Sequence, residues 1–408
     1  MVIVAMLPAT IFASTPLPQS RPSLSTQAKA SVITQWPGAE VYLSWGHSAF
    51  RVRDPATGLD LIYNYGTFAV DDPLFIPRFV RGELDYLLTE YPYQPYYNWD
   101  TQIEHRAWVE QELNLTPSQT NALYQFLAWN AQPKNAVYRY DFILDNCSTR
   151  IRDGLERILG DQLHYQDLPP NHFHESFRTG IDAAVEQRPL YNFLFHIVIG
   201  RAADKATDLR QATWRPAELL AIIDQAQVLR DGKLEPLVTQ TRQLFSPEPP
   251  SNFDTPLQNP AFILWPLAAL AAFFSIRNTF RLRKSGEIRV SHWFFRLGDA
   301  LLFGIVGIIA CLVFYLVIWS DHTAVKDNLN VVWLWPLHLP AAFFTFRRKT
   351  RRWQAYYFGL AALATAVPLL LWPIWPQPLH VLMLPLMLLI IIRAAWLALR
   401  ARRLTPKH

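Results

Sequence analysis

The chain has 408 residues, of which 51% are hydrophobic and only 17% charged, with a net charge of +5. That composition excludes a disordered chain and is too apolar for one soluble domain. From residue 260 onward there are 17 Lys and Arg against 4 Asp and Glu, a net of +13, while the rest holds 21 against 29, a net of −8. An acidic first part joined to a basic, apolar second part is the pattern of a membrane protein and argues against nucleic acid as a partner.

In chain order, residues 1–14 are apolar, end in Ala13-Ser14 and run into a Thr/Pro-rich stretch. They read as a signal-like segment with a cleavage site near Ala13, or as an uncleaved anchor; either way the following domain, residues 15–245, is exported. Within it, 41–53 reads as a strand, Asp54-Pro-Ala-Thr-Gly58 as a turn, and 59–68 as the returning strand. By strand parity Leu43, Trp45, His47 and Ala49 share one face. The Tyr- and Trp-rich segment 91–99 suits either a headgroup-level lining or plain aromatic packing. An apolar run from Tyr138 ends at Asp145-Asn146, good N-cap residues, and a helix is expected from there to Gly160. Cys147 falls in its first turn, in line with Ile151, Leu155 and Ile158. Helices are expected from about Glu175 to Phe245, with breaks near Arg188-Pro and Trp214-Arg-Pro.

A Pro-rich linker, 246–259, leads to the membrane part, 260–400, with a cytoplasmic tail at 401–408. Five apolar stretches, roughly 260–276, 299–319, 330–346, 355–376 and 379–399, read as spans, the first and third at the short end of the ~20 residues a crossing needs. Basic loops, Arg277 to Arg296 and Arg347 to Arg352, alternate with a loop holding only Lys326 and with the short Pro376-Gln-Pro. Lys/Arg-rich loops stay inside, so the C-terminus is expected in the cytoplasm and the 15–245 domain on the far side of the membrane. Arg393 lies close enough to the end of its span to reach outward, and Asp299 opens the second span near the inner surface; neither suggests an ion pathway.

Cys147 is a lone thiol in the exported part; the other cysteine, Cys311, lies in a span where topology forbids pairing. A thiol in the first turn of a helix meets free N–H groups and the positive end of the helix dipole, which favour the nucleophilic thiolate and can also hold an oxyanion. A histidine on a central strand, 100 positions earlier, can act as its base. A third group should orient that base. Asn64 has the better chemistry, since its carbonyl accepts from an imidazole. An even hairpin register would instead put Tyr63 and Tyr65 on the His47 face, so the third position stays open between Asn64 and Tyr65.

The order histidine-then-cysteine, with Gly-His-Ser-Ala-Phe-Arg-Val on a strand and Asp-Asn-Cys-Ser-Thr-Arg at a helix start, resembles circularly permuted papain-like enzymes such as NlpC-type hydrolases and lecithin:retinol acyltransferase. More closely, the segments 63–68, 81–86, the Cys147 helix and 199–204, together with the five-span layout, resemble the bacterial lipoprotein N-acyltransferase Lnb family. The resemblance implies an α+β, permuted papain-like (NlpC-type) periplasmic domain followed by an all-α five-helix transmembrane domain. It also implies Cys147 as nucleophile and His47 as base in a two-step acyl transfer, from a phospholipid to the α-amino group of a diacylated lipoprotein, with no cofactor.

Two other readings use the same chain: a membrane-tethered cysteine amidase or peptidase acting on cell-wall peptides, and an exported binding module with an inert Cys147. A metal site from His164, His172, His174 and Glu175 is disfavoured by the Pro-Pro between them. Arg150, after the cysteine, is open between a phosphate headgroup and an ion pair, and Asp153 is expected to pair with its neighbours.

Overall fold

The structure is a computed structural model, which describes residues 21–40, 43–68, 73–166, 176–247, 258–285, 293–347 and 350–404. Outside the described residues lie the signal-like segment, the middle of the Pro-rich linker, His172, His174, Glu175 and the last four residues.

The first elements are β1 (Lys29–Gln35), β2 (His47–Asp54), β3 (Leu59–Thr67), α1 (Phe75–Arg81), β4 (Asp85–Pro92), α2 (Tyr93–Gln102), β5 (Trp108–Leu113) and α3 (Pro117–Asn130). There follow α4 (Pro133–Ala136), β6 (Val137–Arg139), α5 (Cys147–Leu159), β7 (Leu163–His164), α6 (Phe177–Ala184), α7 (Pro189–Val198), α8 (Leu209–Ala212) and α9 (Pro216–Gln225). Next are β8 (Gln227–Arg230), β9 (Lys233–Pro236) and β10 (Val238–Phe245). The chain ends with α10 (Ala261–Ser285), α11 (Trp293–Trp319), α12 (His338–Phe346), α13 (Arg352–Leu370) and α14 (Met383–Leu404).

Two compact units result, and neither is continuous in sequence. A sheet unit comprises Met1–Ala184, Lys205–Ser251 and Asp321–Thr323; a helical unit comprises Val185–Asp204, Asn252–Ser320 and Ala324–His408.

The sheet unit is built on seven antiparallel strands in the order β10-β5-β1-β2-β3-β4-β6. Its central strands alternate between two buried faces, as the period-2 rule requires. One face, with Val32, Phe50, Val52, Tyr63 and Tyr65, meets Leu123 and Leu127 of α3, Ile151 and Leu155 of α5 and Leu219 of α9. The other, with Ile33, Ala49 and Ile62, meets Tyr93 and Tyr96 of α2 and Trp108. The aromatic segment 91–99 therefore packs inside the domain. Each fully buried Leu, Ile or Phe contributes about 1.5–3 kcal/mol, so α5 is held against the sheet by several such side chains.

The structure corrects two of the expected elements. The strand over 41–53 begins only at His47, because Gly46 turns the chain at φ +76°, with a Cβ there falling 2.7 Å from the Gln35 carbonyl oxygen. Leu43 and Trp45 thus do not extend the His47 strand face. Residues 227–245 form three strands where helix was expected. Asp231 and Gly232, both at positive φ, make the tight turn of the β8–β9 hairpin, and β10 gains its backbone partners from β5.

In the helical unit, Ala261–Arg281, Trp293–Trp319 and Met383–Arg403 are long and apolar enough to cross a membrane. Large apolar side chains such as Phe262, Phe273, Ile305 and Ile308 are exposed on α10 and α11, as lipid-facing residues would be. The continuous helix expected over 330–346 does not form. A 3₁₀ turn at Leu329–Val332 is followed by the nine-residue α12, which is only about 14 Å long. Asn328, Asn330 and Gln377 donate their side-chain amides to the carbonyls of His196, Ile197, Val198 and Ile199. This satisfies the orphan acceptors at the C-terminal end of α7. Arg393 does not reach outward. Its guanidinium forms a two-pronged pair with buried Asp299 at 2.7 and 2.9 Å and donates to Ser275 Oγ at 2.8 Å, tying α14 to α11 and α10.

Candidate active site

The site is assembled where β2 starts, β3 ends and α5 begins. Asn146 caps α5: its side-chain oxygen accepts from the N–H groups of Ser148 (2.9 Å) and Thr149 (3.1 Å), and Thr149 Oγ1 accepts from the Asn146 N–H. The cap therefore uses two of the N–H groups that the sequence offered for an oxyanion. Among the described hydrogen bonds the Cys147 N–H has no acceptor, which leaves it as a first-turn donor open to an anionic oxygen.

The β2–β3 register decides which side chain of β3 faces His47. Phe50 pairs with Tyr63 and Arg51 with Ile62, which continued along the hairpin sets Ala49 opposite Asn64 and His47 opposite Gly66. The register is odd, so Asn64 lies on the His47 side and the tyrosines do not. Tyr63 and Tyr65 are in the α5-facing core, and the Tyr65 hydroxyl donates to Asn130 Oδ1 at 2.8 Å. His47 Nε2 is hydrogen-bonded to Asn64 Oδ1.

Around Asn64 the hydrogen bonds close a ring. Asn64 Nδ2 donates to Thr67 Oγ1 (3.0 Å), Thr67 Oγ1 bonds Thr89 Oγ1 (2.6 Å), and Thr89 Oγ1 donates to the Asn64 carbonyl (3.3 Å). The ring fixes which end of the amide faces the imidazole. A carbonyl only accepts, so the proton of neutral His47 resides on Nε2 and Nδ1 is left as the acceptor for the thiol. Gly66, at φ +103° in the β3 bulge, brings the chain past the ring, its Cβ position being 3.8 Å from His47 Cε1.

Electrostatics couple the two reactive groups. Burial by itself pushes the Cys147 thiol up. The charge and hydrogen bond of His47, with the Ser48 backbone N–H and the Ser148 hydroxyl, outweigh it and hold the thiol at about 7. Burial by itself lowers His47, but the Cys147 charge and hydrogen bond, joined by Asn64, raise it above its ordinary value against the opposing charge of Arg106. Arg106 is itself buried and paired with Asp100, and it donates to Gln35, the cross-strand neighbour of His47. Sequence reasoning missed Thr67, Thr89, Asp100 and Arg106; only a register could have pointed to them.

Other candidates are placed elsewhere. Arg150 pairs with Asp145 at 2.5 Å and lies over the Tyr138 ring, so it is an ion pair. Asp153 pairs with Arg152 and Arg210. His164 is on β7, and among the described residues no group of His, Cys, Asp and Glu could hold a metal ion.

Residues 22–178 match the model of the Lnb N-terminal periplasmic domain, and residues 251–403 match that of the Lnb transmembrane domain. The chain belongs to the Lnb family. This Lnb-family chain is accordingly a membrane protein with a periplasmic N-terminal domain, and its Cys147, His47 and Asn64 all lie within the periplasmic match. No curated protein and no solved structure matched it.

Proposed function

We propose that the protein is a lipoprotein N-acyltransferase working through a Cys147 thioester. The observation that carries the reading is a Cys147 thiol coupled to a His47 that Asn64 holds by a hydrogen bond, in an Lnb-family chain. In the first step the Cys147 thiolate attacks the ester carbonyl of a phospholipid, and the Cys147 N–H stabilises the oxyanion. The ester C–O bond breaks as protonated His47 gives its proton to the departing glycerol oxygen, leaving a lysophospholipid and an acyl thioester. In the second step the α-amino group of a diacylglyceryl-cysteine attacks the thioester. His47 takes the amine proton, the C–S bond breaks, and an amide forms.

The basic loops support five crossings with the C-terminus in the cytoplasm, the third made by the turn at Leu329–Val332 followed by α12. A membrane mount of that size suits two lipidated substrates better than the cell-wall peptide of an amidase.

The test is intact mass spectrometry of the full chain after incubation with phospholipid vesicles, beside Cys147→Ala. A hydroxylamine-sensitive gain of one acyl mass, absent from Cys147→Ala, is expected. A fast-reacting thiol that gains no acyl group would favour the amidase, and a thiol no faster than free cysteine would favour the binding module.

A further inference from the structure

Helix α1 carries Phe-Ile-Pro-Arg-Phe-Val-Arg and buries none of these residues. Ile76 is 66% exposed and Phe79 46%, beside exposed Leu74. Water is a poor solvent for such a face; Arg78 and Arg81 lie on the same short helix, with Arg81 paired to Glu83 at 2.6 Å.

What covers this face is indicated by what holds the helix. The Asp321 N–H donates to the Arg81 carbonyl at 2.7 Å, and His322 Nε2 donates to the Phe79 carbonyl at 2.7 Å. Gly82 packs against the backbone of the same two residues. Asp321 is two residues beyond Trp319, the exposed aromatic that ends the longest apolar helix. Two residues span at most about 7 Å, so covalent continuity ties α1 to the level at which a span leaves the bilayer, where Trp side chains reside.

A row of rings runs inward from this helix. Phe79 meets Phe75 at 6.1 Å, Phe75 stacks on Phe68 at 4.9 Å, Phe68 on Tyr86 at 4.9 Å, and Tyr86 on Tyr140 at 4.3 Å. Tyr140 packs against the same hydrophobic cluster as Cys147. Thr323, from the same loop as Asp321, donates to Asp141 Oδ2 at 2.7 Å, which anchors the far end of the row next to the residues leading into α5.

We propose that α1 is seated in the periplasmic leaflet of the membrane, at the acyl–headgroup boundary, and that the aromatic row guides a phospholipid acyl chain from there to Cys147. The seat stands on geometry alone; the track rests on the acyl-donor reading above. Phe79, Phe75 and Phe68 offer an acyl chain apolar contact at the outer end of the row.

The seat is tested with the full chain in phosphatidylethanolamine/phosphatidylglycerol vesicles, carrying p-benzoylphenylalanine at position 76 or, as control, at exposed position 234 of the β8–β9 hairpin. After irradiation, at least five times more lipid-mass adduct at 76 than at 234 is expected; equal labelling overturns the seat. The track is tested with the double variant Ile76→Asp, Phe79→Asp, by comparing acyl loading of Cys147 from vesicles with loading from water-soluble p-nitrophenyl butyrate. The ratio of the two should fall at least tenfold, and an unchanged ratio overturns the track. A wild-type protein that loads from neither donor would remove the acyltransferase reading and the track with it, while the cross-link still decides the seat. The alkylation rate of Cys147 in the double variant verifies that the site is folded.

Discussion

Each unit holds an oppositely charged pair out of bulk water, and the two pairs are built differently. In the helical unit, Arg393 meets Asp299 through two parallel hydrogen bonds and uses a third donor on Ser275. Two parallel hydrogen bonds to one carboxylate and a third to a hydroxyl leave the guanidinium a single orientation, so the work of this contact is to hold three helices. In the sheet unit the pair is Cys147 and His47, two groups that can exchange a proton: the thiol is held at about 7 and the imidazole is raised above its ordinary value. A fixed pair stabilises an architecture; a pair with a movable proton can start a reaction. The supporting groups differ in the same way. Ser275 completes the fixed pair, while the Asn64–Thr67–Thr89 ring leaves the pair its freedom and fixes only the imidazole's orientation.

The sharpest way to break this contrast is Cys147→Ala, which should abolish acyl loading in intact mass spectra while leaving the far-UV circular dichroism unchanged. Next, His47→Ala should lower loading by about 10²–10⁴-fold, the range of general acid–base catalysis. It also has a pH signature. In the wild type, iodoacetamide alkylation should rise tenfold per pH unit up to about 7 and then level off. Without His47 the burial that raises the thiol is opposed only by the Ser48 N–H and the Ser148 hydroxyl, so the rise should continue to higher pH than in the wild type.

Asp299→Ala should leave Arg393 without its carboxylate and cost about 3–5 kcal/mol, read as a lower melting temperature in detergent. Replacing both partners, with Asp299→Leu and Arg393→Met, should recover most of it. If the double variant also loses acyl loading while staying as stable as the wild type, the fixed pair has a part in the reaction and the contrast fails. Asn64→Ala should reduce kcat by about 10–100-fold, the penalty for an unoriented catalytic imidazole with KM little changed. The smallest effect is expected from Thr67→Val, about 1 kcal/mol for one lost orienting hydrogen bond. That is a few-fold in kcat, with the pH profile retained.

Much of this arrangement could be read from local pattern. Asn146 before Cys147 and Gly160 after Leu159 bound a helix by capping chemistry alone, and α5 follows these bounds. The Asp54–Gly58 turn was legible for the same reason. Residues 227–245 were not, because their strands are decided by the partner that β5 offers to β10. Nor was the nine-residue α12, since apolar composition over 330–346 does not say where a chain leaves helical geometry. The free N–H groups of the helix start are an intermediate case: a helix N-terminus was predictable, but the cap occupies the Ser148 and Thr149 N–H groups and leaves the one on Cys147.

The sequence by itself determined that this protein has an acidic exported part and a basic apolar part, and that its lone exported thiol opens a helix. These properties depend on composition and on residues within a turn or two of each other. Tertiary structure alone decided that Asn64 rather than Tyr65 faces His47, and that Arg393 is paired rather than reaching outward. Both depend on partners 17 and 94 residues away. A one-residue change in hairpin register would exchange the faces of β3, and no local propensity distinguishes the two registers.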